Sequence, residues 1–235
     1  MLSLSEKSEN IRKMFDSIAP RYDFLNRLLS FGIDRGWRRK AVKFICDRDI
    51  SQVLDIATGT GDVILEIART TPPSVKITGV DFSEEMLSLG KQKIALSPYA
   101  ERVDFMLASC EDLPLSDNAF DAVTIAFGIR NVENRHKGLS EMRRALRPDG
   151  KIVILELSMP RSTLFRLLYR FYFQQMLPII GGFFSCFDAY RYLPDSVCEF
   201  PSVEDFAGAI ANAGFRNVHI HELCCGAAHI FVAEK

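Results

Sequence analysis

The chain has 235 residues, of which 48% are hydrophobic and 25% charged, a mixture that suits a globular protein with a sizeable core. Its formal net charge of −1 supplies no global field that would draw it to DNA or RNA. Cysteines at 46, 110, 186, 198, 224 and 225 form no C-x-x-C pair, which argues against zinc and for thiols in a reducing compartment.

The first segment, Met1 to Arg12, is polar and lacks the apolar core of a signal peptide. No run of about 18 uncharged apolar residues follows, so a spanning helix is not expected and the cytoplasm is. Met14, Ile18, Tyr22, Leu25 and Leu29 recur at helical spacing, interrupted by Pro20, and Trp37 to Cys46 reads as a further helix. From Gln52 the pattern alternates. Val53–Ala57 reads as a buried strand, Asp62–Thr70 as a helix and Val75–Val80 as a second strand. Ser83 is an N-cap for a helix reaching Ala95. Val103–Leu107 and Phe120–Phe127 make the third and fourth strands. A charged helix from Arg135 to Leu146 closes on the turn Pro148-Asp149-Gly150, before a fifth strand at Lys151–Leu157. Residues 160–190 then form an apolar, aromatic insert spaced by Arg161, Arg166 and Arg170. A helix near Val203–Ala213 stops at Gly214, and strands near Asn217–Glu222 and Ala228–Ala233 are close enough to pair as a hairpin. The rhythm is that of one doubly wound α/β domain over 1–235, with a helical cap at 1–50 and a parallel sheet ending in an antiparallel pair.

The sharpest motif is Asp55-Ile56-Ala57-Thr58-Gly59-Thr60-Gly61-Asp62, directly after the first strand. At such a turn glycines let the backbone approach a ligand, and the N–H groups of the following helix can hold an anion. Asp81 ends the second strand, where an acid can accept from both hydroxyls of a ribose. Ser109 and Cys110 follow the third strand, where an adenine edge would lie. A tight βα turn without any ligand would use the same glycines, and it is Asp81 that weighs against that. A nicotinamide-binding Rossmann domain would want a third glycine about three residues after the second. Ile64 stands there instead.

Three blocks together carry a family resemblance. They are Met14 to Asn26 continuing to Trp37, Phe127 to Val132 followed by Met142 to Glu156, and Asp188 to Leu193. In this order they resemble the ubiquinone/menaquinone biosynthesis C-methyltransferases, over most of residues 12–235. The resemblance implies a seven-stranded class I methyltransferase fold and S-adenosylmethionine as cofactor, with no metal. It places the cofactor at Thr60, Asp81, Ser109 and Cys110, to which the loop itself adds Asp55, Gly59 and Gly61, with the methionine carboxylate at the helix N-terminus. Ala57 takes the place of the first glycine of the general methyltransferase pattern, and Ser109 that of an acid or amide facing the adenine amino group.

The implied reaction methylates a ring carbon of a prenylated hydroquinone. A phenol of pKa near 10 is ionised only about one part in a thousand at pH 7, a deficit of roughly 4 kcal/mol. A cation beside the oxygen and a base within reach would both help. Arg130 is expected to stabilise the quinol oxyanion, directly or through water, or else to form a structural ion pair with a carboxylate, and Asn131 to orient a ring oxygen. Tyr22 and Asp23 lie in the cap over the pocket, Asp23 as a base, a water-holder or an N-cap. Tyr190 and Arg191 are further pocket candidates, whereas the four histidines form no cluster. The insert is expected to be a lid for the polyprenyl tail, a peripheral membrane contact or a dimer interface. Naphthoquinol and benzoquinol acceptors both remain open, as do another small-molecule acceptor and a non-catalytic cofactor-binding protein.

Overall fold

Three amphipathic helices begin the chain: α1 (Glu6–Ile18), α2 (Tyr22–Leu29) and α3 (Ile33–Lys43). This is a computed structural model that describes residues 5–46, 49–160 and 187–235, together with Ser162 and Leu167. Ser5 caps α1 by accepting from the Ser8 N–H. Pro20 occupies a 3-10 turn, Ala19–Arg21, between α1 and α2, where its missing N–H costs no helix bond.

The alternating part follows as β1 (Gln52–Ile56), α4 (Asp62–Thr70), β2 (Lys76–Asp81), α5 (Glu84–Ala95), β3 (Val103–Leu107), β4 (Phe120–Ala126), α6 (Arg135–Ala145) and β5 (Leu146–Leu157). After it come α7 (Phe187–Cys198), α8 (Val203–Asn212), β6 (Arg216–Leu223) and β7 (Ala228–Glu234). The strands form one seven-stranded sheet of order β3-β2-β1-β4-β5-β7-β6. β1 to β5 pair in parallel, while β7 runs antiparallel to both β5 and β6.

The strands are apolar because both faces of the sheet are covered. Leu54, Ile56, Val123, Ile125, Ile152 and Ile154 pack with Leu139 and Met142 of α6 and Phe206 and Ile210 of α8. Their alternates Val53, Ile77, Val153 and Leu155 pack with Val42 of α3 and Ile64 and Ile67 of α4. The strand order reverses between β1 and β4, and a ligand crevice opens at the carboxyl ends of such strands.

One local expectation changes. Pro148-Asp149-Gly150 does not separate helix from strand. β5 already pairs at Leu146 with Phe120, the register then shifts to Ala122 with Lys151, and Asp149 takes a φ of 61°. The turn residues are therefore a bulge inside the strand, which bends it without ending its pairing. His229 stands opposite Glu156 across the β5–β7 ladder and is buried, with Nδ1 2.6 Å from Ser158 Oγ. Most of the insert at 160–190 lies outside the described residues, as do the side chains of Tyr190 and Arg191. Among the described residues no helix is long and apolar enough to cross a membrane.

Candidate active site

The crevice at the switch point is a cleft of about 740 Å³ reaching from Ala57 and Gly59 past Asp81 to Ser109 and Cys110. Asp81 ends β2 and is fixed from two sides. Gly59 N–H donates to its Oδ2 at 2.8 Å and Ser83 N–H to its Oδ1 at 2.9 Å. Burial pushes its carboxyl up to about 6, against the pull of these N–H groups. Each oxygen keeps a lone pair, so the carboxylate can take two adjacent ribose hydroxyls. Phe82, Met86 and Cys110 give the apolar surface that an adenine ring needs. Burial pushes the Cys110 thiol up to about 12, so it stays neutral there. Opposite, Gly128 brings bare backbone to the wall, since a Cβ there would stand 2.5 Å from that of Ala57. The donor set and the cradle fit S-adenosylmethionine.

Gly59, Asp81, Ser109 and Cys110 thus line the cleft, whereas Asp55, Thr60 and Gly61 stand behind it. Asp55 accepts from the hydroxyls of Thr58 and Thr124, both at 2.6 Å, and so ties the loop to β4. Gly61, at φ 81°, begins α4 and packs close to Gly90 and Phe105. The Gly59 N–H is given to Asp81 rather than held open for an anion. Burial pushes Asp55 up to about 7, and its two threonine partners only moderate that shift. Between its ordinary 3.8 and about 7 the folded chain holds a proton that the unfolded chain has released. Stability from this group therefore falls as pH rises through that window. Asp55→Asn can keep both threonine contacts and should not carry this slope. Denaturant melts at about pH 5 and about pH 7.5 should show wild type losing ground to the variant at the higher pH.

Thr60 belongs to a strap between cap and loop. Its hydroxyl donates to Asp23 Oδ1 at 2.5 Å, and Lys93 of α5 reaches Asp23 Oδ2 at 2.5 Å and Asp62 Oδ1 at 2.8 Å. Asp62 also lies 3.8 Å from Arg38 of α3, itself paired with Asp34. With both oxygens of Asp23 engaged, it is a latch and not a free base. Lys93→Met leaves two partly buried carboxylates without their shared cation, at a cost of about 1.5–3 kcal/mol. The expected result is faster hydrogen exchange in α2 and weaker cofactor binding, with the exchange of β4 unchanged.

A second cavity of about 500 Å³ lies between the cap and α7, walled by Met14, Ile18, Leu25 and Leu29, with Arg130 and Tyr192 as polar members. Phe15 and Tyr22 line both cavities, and their rings meet edge to face at 6.1 Å. Arg130 follows β4 in the 3-10 turn Ile129–Asn131 and pairs with Glu156 of β5 at 2.6 Å. It also donates to the Phe127 carbonyl at 2.7 Å, while its buried Nε has no partner among the described residues. Burial works against its charge, but Glu156 prevails and raises Arg130 above its ordinary value. Tyr22 is raised too, by burial before all else, and is a neutral phenol at ordinary pH. Asn131 lines the first cavity and accepts from the Tyr192 hydroxyl at 2.9 Å.

Sequence reasoning missed Glu156, Lys93 and Tyr192 as participants. The signal for Glu156 was present, because a carboxylate in the apolar run Ile152–Leu157 must find a counter-charge. Tyr192 stood in the block that drew attention to Tyr190. Lys93 had no local signal.

A family model described as the ubiE/COQ5 methyltransferase family matches residues 3–235. A ubiquinone/menaquinone biosynthesis C-methyltransferase UbiE of Geotalea daltonii is 59% identical over 235 residues, all of either chain. A demethylmenaquinone methyltransferase of Porphyromonas gingivalis is 42% identical over 230 residues, 97% of this chain and 94% of that protein. Among solved structures, a SAM-dependent methyltransferase from Aquifex aeolicus superposes with a TM-score of 0.64 at 18% identity, over 93% of this chain and 97% of that one. The [4+2]-cyclase SpnF superposes with a TM-score of 0.74 at 15% identity, over 100% and 98%. Likeness at such identities concerns the fold alone, which is that of the class I SAM-dependent methyltransferases.

Proposed function

The chain belongs to the ubiE/COQ5 methyltransferase family, and on that premise we propose that it methylates a ring carbon of a prenylated hydroquinone, most readily demethylmenaquinol. The observation that carries this reading is the meeting of two cavities at Tyr22, one built around Asp81 and the other around Arg130. Residues 1–50 act as the cap of a single domain spanning 1–235, at work in the cytoplasm on an acceptor drawn from the inner membrane.

When bound, S-adenosylmethionine supplies an activated methyl group. The task left to the chain is to enrich and aim the nucleophile. Asp81 fixes the ribose, and Ser109 and Cys110 border the adenine. Arg130, kept charged by Glu156, stabilises the quinol oxygen as its proton passes to water. Asn131, held by Tyr192, orients a ring oxygen, and neutral Tyr22 offers a hydrogen bond between the two sites. The ring carbon takes the methyl group as the methyl–sulfur bond breaks and S-adenosylhomocysteine is left. The proton that carbon then carries leaves to water as aromaticity returns, and the quinol oxygen regains one from water, so that one proton is released overall. The apolar wall of Met14, Ile18, Leu25 and Leu29 suits a ring with a hydrocarbon tail.

Labelled S-adenosylmethionine, offered with reduced demethylmenaquinol and separately with a demethylated benzoquinol, tests this. Label in the naphthoquinol supports the reading. Label in the benzoquinol alone moves the acceptor class, and cofactor binding without transfer to either overturns the enzyme.

A further inference from the structure

Among the described residues, four of the eight large hydrophobic side chains left exposed fall within ten positions of one corner, where α2 turns into α3. Phe24 is 53% exposed, Leu28 38%, Phe31 74% and Ile33 46%. Phe24 and Leu28 stand one turn apart on α2 and are exposed, on the flank roughly 100° round the helix from Leu25 and Leu29, which wall the acceptor cavity.

The flank beyond this corner is one-sided in charge. Arg27, Arg35, Arg39, Lys40 and Lys43 are all exposed. The carboxylate among them, Asp34, is buried and paired with Arg38. α3 turns Asp34, Arg38, Ala41 and Val42 inward, so Gly36, Arg39, Lys40 and Lys43 share its outer face beside Phe44. The acid of the neighbouring α4 that reaches this face is Glu66, 3.5 Å from Arg39, whose side chain stays 58% exposed. A chain with a net charge of −1 thus concentrates five exposed cations behind an apolar tip.

We propose that this corner is the surface by which the protein sits on an anionic lipid bilayer. Apolar side chains at the tip enter the headgroup boundary, and the cations behind them meet the lipid phosphates. An exposed apolar patch rimmed by polar residues marks an interaction site, and a rim of one sign selects an occupant of the other. Docked in this way, α2 turns Phe24 and Leu28 to the bilayer and the adjoining flank with Leu25 and Leu29 to the acceptor cavity, so a prenyl tail has a short path from the membrane. The inference rests on the prenylated-quinol reading for this purpose, and on the surface itself for its chemistry.

Co-sedimentation of the full chain with vesicles of phosphatidylcholine, alone or mixed with phosphatidylglycerol, tests the surface. Binding is expected to the mixed vesicles only, and to weaken at high salt. Phe31→Ser should lower partitioning about tenfold or more. Lys40→Gln with Lys43→Gln should lower it about fivefold for each residue. Thermal melts at the wild-type temperature exclude misfolding of either variant. Equal binding to both lipids, no binding at low salt, or variants that bind as wild type would overturn the proposal. So would a dimer in light scattering that Phe31→Ser abolishes while vesicles stay unbound, since that assigns the corner to a second copy. Methyl transfer to a short-tailed quinol in solution, run alongside, should be the same in all three proteins. Its absence from wild type would count against the quinol reading and leave the vesicle result standing.

Discussion

Asp81→Ala should lower the affinity for S-adenosylmethionine by about 10²-fold or more. Two hydrogen bonds from ribose hydroxyls to a charged acceptor are worth about 1.5–3 kcal/mol each, and each 1.4 kcal/mol is about tenfold. The loss is also structural, because the Gly59 and Ser83 N–H groups would lose the oxygens that receive them. Asp81→Asn should fare little better, since its amide nitrogen would face one of those N–H groups, a donor against a donor. The pH dependence separates the carboxylate's charge from its shape. Burial pushes this acid up to about 6, so affinity should hold on the alkaline side and decline as the pH falls through that value. Titration calorimetry across this range measures it. An affinity flat in pH, or an Asp81→Ala variant that binds like wild type, would remove Asp81 from the cofactor site.

The fold was largely legible because its signals are local. Ser83 announced α5 and does accept from Met86 N–H. Apolar strands alternating with helices implied a parallel sheet, and the short gap before Ala228 implied the closing hairpin. The cofactor side was partly legible for the same reason, since Gly59 lies in the loop directly after the first strand and Asp81 ends the second. Their direct hydrogen bond was not visible, nor that Asp55 and Thr60 brace the loop from behind. What sequence could not show was pairing over distance. Asp23 meets Lys93 from 70 residues away and Thr60 from 37, so a carboxylate that looks free in the cap is engaged on both oxygens. Arg130 finds Glu156 across 26 residues, from a turn to a neighbouring strand. The bulge at Asp149 was misjudged because its residues are those of a turn, and only the ladder on either side distinguishes the two.

The Arg130–Glu156 pair lets stability and chemistry be measured apart. Glu156 is fully buried and the Arg130 side chain is 7% exposed, so Arg130→Met strands a carboxylate without its cation. Breaking such a pair from one side costs about 3–5 kcal/mol, read as a lower midpoint in denaturant. Glu156→Leu should cost a similar amount, by stranding the guanidinium. The double variant Arg130→Met/Glu156→Leu buries no unpaired charge and should recover most of that stability, because a buried ion pair is worth little against apolar side chains of similar volume. Turnover should not follow. Removing a preorganised donor from a developing oxyanion costs about 10²- to 10³-fold, and the double variant lacks the donor as fully as Arg130→Met does. Single-turnover methyl transfer at saturating cofactor and acceptor should therefore stay low in the double variant while its midpoint returns towards wild type. If turnover recovered along with stability, Arg130 would be a brace for the turn after β4, and the quinol oxygen would have to find its positive charge elsewhere. A low rate on a restored fold instead assigns the guanidinium to the reacting oxygen, with Glu156 as the carboxylate that keeps it charged out of water.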